Sequence, residues 1–198
     1  LSKKTINDVA KIASEWWANV LIDPKFDNGE VNLATVLTIA DTKDISEGQL
    51  EKFKKAVNDY IREELVKLNQ EDATIILSCD YGPDSTLRHF ANQCLIYENN
   101  FPWKTTMWIG QDFCTVKYGY SADIKYIYVT EARLMRRIKD AENTVEYYQN
   151  KDDHYFDSWS SYTKNQIIEI TKQGVITLKE DLEAYKDGRK SINELRVY

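Results

Sequence analysis

The stretch Phe101–Tyr128, FPWKTTMWIGQDFCTVKYGYSADIKYIY, decides the fold class of this chain. It is crowded with aromatic and β-branched side chains. A helix would restrict their rotamers, whereas a pleated, half-buried sheet accommodates them. Turn signals at Gly110-Gln111-Asp112 and Gly119-Tyr120-Ser121 divide it into strands over 104–109, 113–118 and 124–129. Gly-containing turns of this length join antiparallel neighbours.

Upstream, Ala73-Thr74-Ile75-Ile76-Leu77-Ser78-Cys79 is nearly all apolar, the pattern of a strand buried on both faces. Ile75-Ile76-Leu77 is therefore expected inside the sheet, where a charge at Ile76 would prevent folding.

Helical patterns flank the strands. Thr5 reads as the N-cap of a helix carrying Val9, Ala13, Trp16, Trp17 and Val20, which stops before Asp23-Pro24. Leu33, Val36, Leu37 and Ala40 give Val31–Asp41 a helical spacing. Ser46 and Gln49 form a capping box before Phe53, Val57, Ile61 and Leu65. A helix through Leu87, Phe90, Ala91, Cys94 and Leu95 follows the turn at 81–84. Beyond Thr130, helices are predicted over 131–148, over 158–172 with Gly174 as the C′ residue, over 177–185 from the capping box Thr177-x-x-Glu180, and at 191–194. This is an α+β chain: a mostly antiparallel four-stranded sheet with helices packed from both ends. Residues 1–130 read as the core domain and 131–198 as a helical extension packed on it through Leu134, Met135, Ile138 and Val145.

A formal charge of −6 gives no support for phosphate coating, so direct nucleic-acid binding is not expected. Cys79, Cys94 and Cys114 form neither a CxxC pair nor an even disulfide set, which fits a reducing cytosol. No apolar run approaches the ~20 residues of a membrane span, and the start lacks a signal-peptide core, so a cytoplasmic location is expected.

Candidate chemistry concentrates at Cys79-Asp80-Tyr81-Gly82-Pro83-Asp84-Ser85-Thr86, where a strand runs into a helix start that can hold an anion. Asp80, Asp84 and Ser85 offer acid, base or ligand oxygens there. The competing reading is a Gly-Pro turn with Asp84 or Ser85 as helix cap. Cys79, His89 and Asp80 can be drawn as a nucleophilic set, but no cysteine-enzyme signature supports it. His154, among Asp152, Asp153 and Asp157, fits a solvated loop better than a metal site, and neither metal nor cofactor is expected. Trp103, Trp108 and Tyr120 belong to an aromatic set suited to packing under helices or to a protein interface. Arg133, Arg136 and Arg137 make the basic cluster, a helix face or a contact for phosphate or an acidic partner.

FPWKTTMWI, with DYGPDSTL before it and VKYGYSADIKYIY after it, resembles small uncharacterised proteins encoded in Firmicutes phages and prophages, and SEWWANVL and FDNGE extend the likeness over about residues 5–130. The resemblance implies a genetic setting and brings no catalytic residues. Its implication is a non-enzymatic accessory protein that binds and inhibits a host protein, such as a CRISPR nuclease or other nucleic-acid-binding defence enzyme, in its sharpest form by acidic helices mimicking nucleic acid. The alternative is an anion, nucleotide or nucleic-acid binding domain, or an enzyme, built on the 80–86 loop. Convergence of Asp80, Asp84, Ser85 and His89 in one pocket would favour the alternative.

Overall fold

Strand pairing organises the first half of the molecule. In the computed structural model, which describes residues 3–23, 42–68, 73–119, 123–152 and 162–197, β1 (Ile75–Cys79) pairs antiparallel with β2 (Thr105–Ile109) and β2 with β3 (Phe113–Tyr118). With β4 (Lys125–Val129) they form one sheet of order β1-β2-β3-β4. Helices precede and follow the strands, so the chain is α+β. The described residues fall into two compact units, Leu1–Tyr128 and Val129–Arg196.

Register sorts the strand residues into two faces. The rows Ile75–Ile109–Cys114, Leu77–Met107–Val116 and Cys79–Thr105–Tyr118 lie on one face and are buried throughout. α1 (Lys3–Ile22) and α2 (Glu47–Lys67) pack against each other, α1 also meeting β3 and α2 meeting β1. Between helices and sheet lies an aromatic chain: Trp16 meets Trp17 edge-on at 5.2 Å, Trp17 tilts against Phe101 at 6.1 Å, and Phe101 meets Phe53 at 5.8 Å. Burying each such ring contributes roughly 2–3 kcal/mol, and the seam belongs to the one hydrophobic core that α1, α2 and the sheet share.

Polar side chains close the helix ends. Ser46 and Gln49 form the expected capping box of α2, and Gln49 Nε2 also donates to the carbonyls of Cys94 and Leu95 at 3.1 and 2.8 Å. At the other end Gln111 Nε2 donates to the Leu65 and Leu68 carbonyls, a contact between residues 43 to 46 positions apart that has no local signature.

In the second unit α4 (Glu131–Gln149) packs on α5 (Lys164–Lys186). Leu134 and Ile138 are buried on α4, and Ile168, Val175, Leu178 and Leu182 on α5. Buried Asp181 accepts from Lys190 Nζ at 2.6 Å and from the Arg196 N–H at 3.2 Å, tying the last segment back onto α5.

Four expectations need correction. Thr5 lies inside α1, which already begins at Lys3, so it is not the N-cap of that helix. β1 is an edge strand of the sheet, and Ile76 is 54% exposed because strand alternation points it to the face opposite the buried Ile75 and Leu77. Gly174 does not end a helix and Thr177 does not start one: both are interior to α5. The apolar stripe runs through Gly174 unbroken, and its packing outweighs the ~1 kcal/mol that one glycine costs. The true start is Thr163, whose side chain accepts from Gln166 N while Gln166 caps Thr163 in return. The helix expected over Val31–Asp41 lies outside the described residues. Among those described, no helix is long and apolar enough to cross a membrane.

Candidate functional site

The loop after β1 leads into α3 (Ser85–Gln93), and Asp84 is its N-cap. Asp84 Oδ1 accepts from the N–H groups of Thr86 and Leu87, both at 2.9 Å. Oδ2 accepts from Ser78 N–H at 2.6 Å, while the Asp84 N–H donates to the Ser78 carbonyl at 2.8 Å. Both carboxylate oxygens are thus committed to backbone. Asp80 turns elsewhere and ion-pairs with Lys104. Ser85 is exposed. His89, also exposed, bonds Gln93 at 3.0 Å and sits edge-on to Phe90. Asp80, Asp84 and His89 are drawn to separate partners, and none of them bonds another of the four.

The thiols are equally remote from chemistry. Cys79 is buried, and burial, reinforced by the Asp84 and Asp80 carboxylates, pushes its thiol up to about 12. Burial alone pushes Cys114 well above the usual thiol range, and burial also raises Cys94. A thiol held protonated is a poor nucleophile, and with His89 bonded to Gln93 and Asp80 paired with Lys104 nothing assembles the Cys79–His89–Asp80 set. Among the described residues no group of three or more His, Cys, Asp or Glu side chains is placed to hold a metal ion; His154 lies outside them.

The structure assembles a different cluster at the same end of the sheet. Lys104 holds φ +57°, the left-handed region. Two backbone bonds hold it there: its N–H donates to the Asp80 carbonyl at 2.8 Å, and its carbonyl accepts from Gly119 N–H at 3.0 Å. Its ammonium group pairs with the Asp80 carboxylate and lies 3.9 Å from the centroid of the Tyr81 ring. Tyr81, 59% exposed, meets Trp103 edge-on at 5.5 Å. The bond to Asp80, aided by Tyr81, raises the Lys104 ammonium above its usual value, although partial desolvation works against it.

The other described non-glycine residue with positive φ is Leu95, at +55°. It follows the Cys94 C-cap of α3, where the bond from Ile96 N–H to the Ala91 carbonyl, 2.9 Å, closes the helix. This position usually carries glycine. Here it carries a leucine that is 83% exposed, near Tyr97, whose ring lies 4.0 Å from Lys43 Nζ.

The remaining sequence candidates are dispersed. Trp108 is half-buried, paired in register with Ile76 on the face opposite Met107. Arg133, Arg136 and Arg137 are half-buried along α4, so they do not form a fully solvated face. Tyr120 lies outside the described residues. α2 interleaves its charges: Glu51 pairs with Lys54, Asp59 with Lys55 and Arg62, and Glu64 with Lys67. This helix presents neutralised pairs where a nucleic-acid mimic needs continuous negative charge. Sequence reasoning singled out Asp80 and Trp103 but missed Lys104 and Leu95, since nothing local announces a positive φ at Lys or Leu. No protein-family model and no curated protein sequence matches the chain.

Proposed function

We propose that this chain is a non-enzymatic binding protein of a phage or other mobile element that engages and inhibits a host protein, with a nucleic-acid-binding defence enzyme such as a CRISPR nuclease as the target class. One observation carries the binding reading: Leu95 combines a left-handed backbone with an exposed apolar side chain. That conformation costs a non-glycine residue about 1–2 kcal/mol, and a leucine left in water recovers none of it by burial. Strain of this kind collects at functional positions. The mobile-element origin rests on the sequence resemblance, and the inhibitory role on the company such genes keep. Interleaved ion pairs on α2 move the expected contact from acidic mimicry to an apolar and aromatic anchor.

The test is Leu95→Gly. Glycine accepts the left-handed backbone, so stability is expected to hold or to rise by up to about 1 kcal/mol. A host protein captured from a Firmicutes lysate by the wild-type chain is expected to be lost by this variant. Retention of the same captured protein by Leu95→Gly, or turnover of a nucleotide or nucleic acid by the purified chain, overturns the reading.

A further inference from the structure

We infer that Asp80, Tyr81 and Trp103 form a receptor for a cationic side chain of the partner, an arginine above all, and that Lys104 occupies this receptor in the free protein. The identity of the occupant as a partner segment rests on the binding reading above; the receptor itself rests on geometry. A carboxylate beside the face of an electron-rich ring is the chemistry that holds an ammonium or guanidinium group. Here it already holds one: Lys104 Nζ touches the Asp80 carboxylate and lies 3.9 Å over the Tyr81 ring, which Trp103 supports edge-on.

The occupant is replaceable. The Asp80 side chain remains 70% exposed while that of Lys104 is 24% exposed, so the acidic wall faces solvent and the internal cation covers the ring. Lys104 is fastened through its backbone N–H and carbonyl, and these bonds persist when the ammonium swings away. An arginine is the better guest, because its planar guanidinium stacks on a ring and pairs side-on with a carboxylate at once. The protein's net charge of −6 also favours a basic segment over an acidic one. While Lys104 fills the site, apparent affinity for any guest is the intrinsic affinity multiplied by the fraction of time the site is vacant.

Lys104→Gly in the full chain tests this. Glycine adopts φ +57° without strain, so the fold is retained and the receptor emptied; a thermal melt checks the fold. The probe is the capped peptide Ac-Gly-Gly-Arg-Gly-Gly-NH2, with glutamine replacing arginine as control, and the readout is the NMR shift of the Trp103 indole N–H. The arginine peptide is expected to shift this signal saturably and to bind Lys104→Gly about tenfold tighter than wild type. The glutamine peptide should leave it unmoved, and Asp80→Asn or Tyr81→Ala in the Lys104→Gly background should abolish the response. Equal affinity for wild type and Lys104→Gly overturns the occupancy, and equal response to glutamine and arginine peptides overturns cation recognition. A host protein captured undiminished by an Asp80→Asn/Tyr81→Ala chain removes this receptor from the interface while leaving the binding reading intact. An arginine response alongside unchanged capture by Leu95→Gly has the reverse consequence.

Discussion

Asp84 closes the outer edge of β1 by bonding Ser78 twice, through its own N–H to the Ser78 carbonyl and through its carboxylate to the Ser78 N–H. In an antiparallel pair, backbone groups alternate between the neighbouring strand and the open side. Ser78 belongs to the open set on β1, so Asp84 stands where another strand would pair. The same carboxylate starts α3. One side chain thus protects a sheet edge and begins a helix, the structural alternative to its use as an acid, base or ligand oxygen.

Replacing Asp84 should therefore damage stability before it touches any activity. Asp84→Ala leaves the N–H groups of Ser78, Thr86 and Leu87 without their acceptor, and a loss of about 2–3 kcal/mol is expected. Asp84→Ser keeps a helix cap but does not reach Ser78, and should lose about half as much. Urea unfolding measures both. Equal stability of Asp84→Ala and wild type would contradict this arrangement.

The two faces of β1 should respond oppositely to charge. Ile76→Lys places a lysine on an exposed edge, where such residues discourage strand addition, and should shift stability by less than about 1 kcal/mol. Leu77→Asp one residue on places an unpaired carboxylate against Met107 and Val116, at a cost of several kcal/mol, and should leave no soluble folded protein. Expression and circular dichroism of the two variants decide it.

Gly174 offers a test by sign. It is interior to α5, and a methyl group there meets nothing within 4 Å. Gly174→Ala should stabilise the second unit by about 0.5–1 kcal/mol. Were Gly174 a left-handed cap, the same substitution would destabilise. A lowered melting temperature would refute the continuous helix.

Alkaline pH should unfold the protein partly through Cys79. Its folded thiol titrates near 12, above the ordinary value of 9.0. Below pH 9 the thiol is protonated in folded and unfolded chains alike, so it adds no pH dependence. Above it the unfolded chain releases a proton that the folded chain keeps, and stability falls by about 1.4 kcal/mol per pH unit until the folded thiol also ionises. Cys79→Ala should flatten part of that decline in denaturant titrations from pH 8 to 11. An unchanged slope would mean that the thiol is not held protonated.

The sequence alone determined the elements whose signals are local. The Gly-containing turns and ring-rich runs of 104–129 specified three consecutive strands, and Ser46 with Gln49 specified the start of α2, because turn geometry and capping act within a few residues. Asp84 was legible as a helix cap for the same reason. Tertiary structure decided the rest. The run Ile75-Ile76-Leu77 reads the same in the middle of a sheet and at its edge, and only the tertiary structure puts β1 at the edge and leaves the Ile76 face of it exposed while burying the Ile75 and Leu77 face. Gly174 and Thr177 carry termination and capping signals that the buried stripe of α5 overrides. Lys104 finds Asp80 and Tyr81 across more than twenty residues because the end of β1 lies beside the start of β2, and the closure of α3 puts Leu95 in a glycine conformation. Backbone strain and ion pairing at such distances arise from how strands and helices meet, which no local pattern of residues encodes.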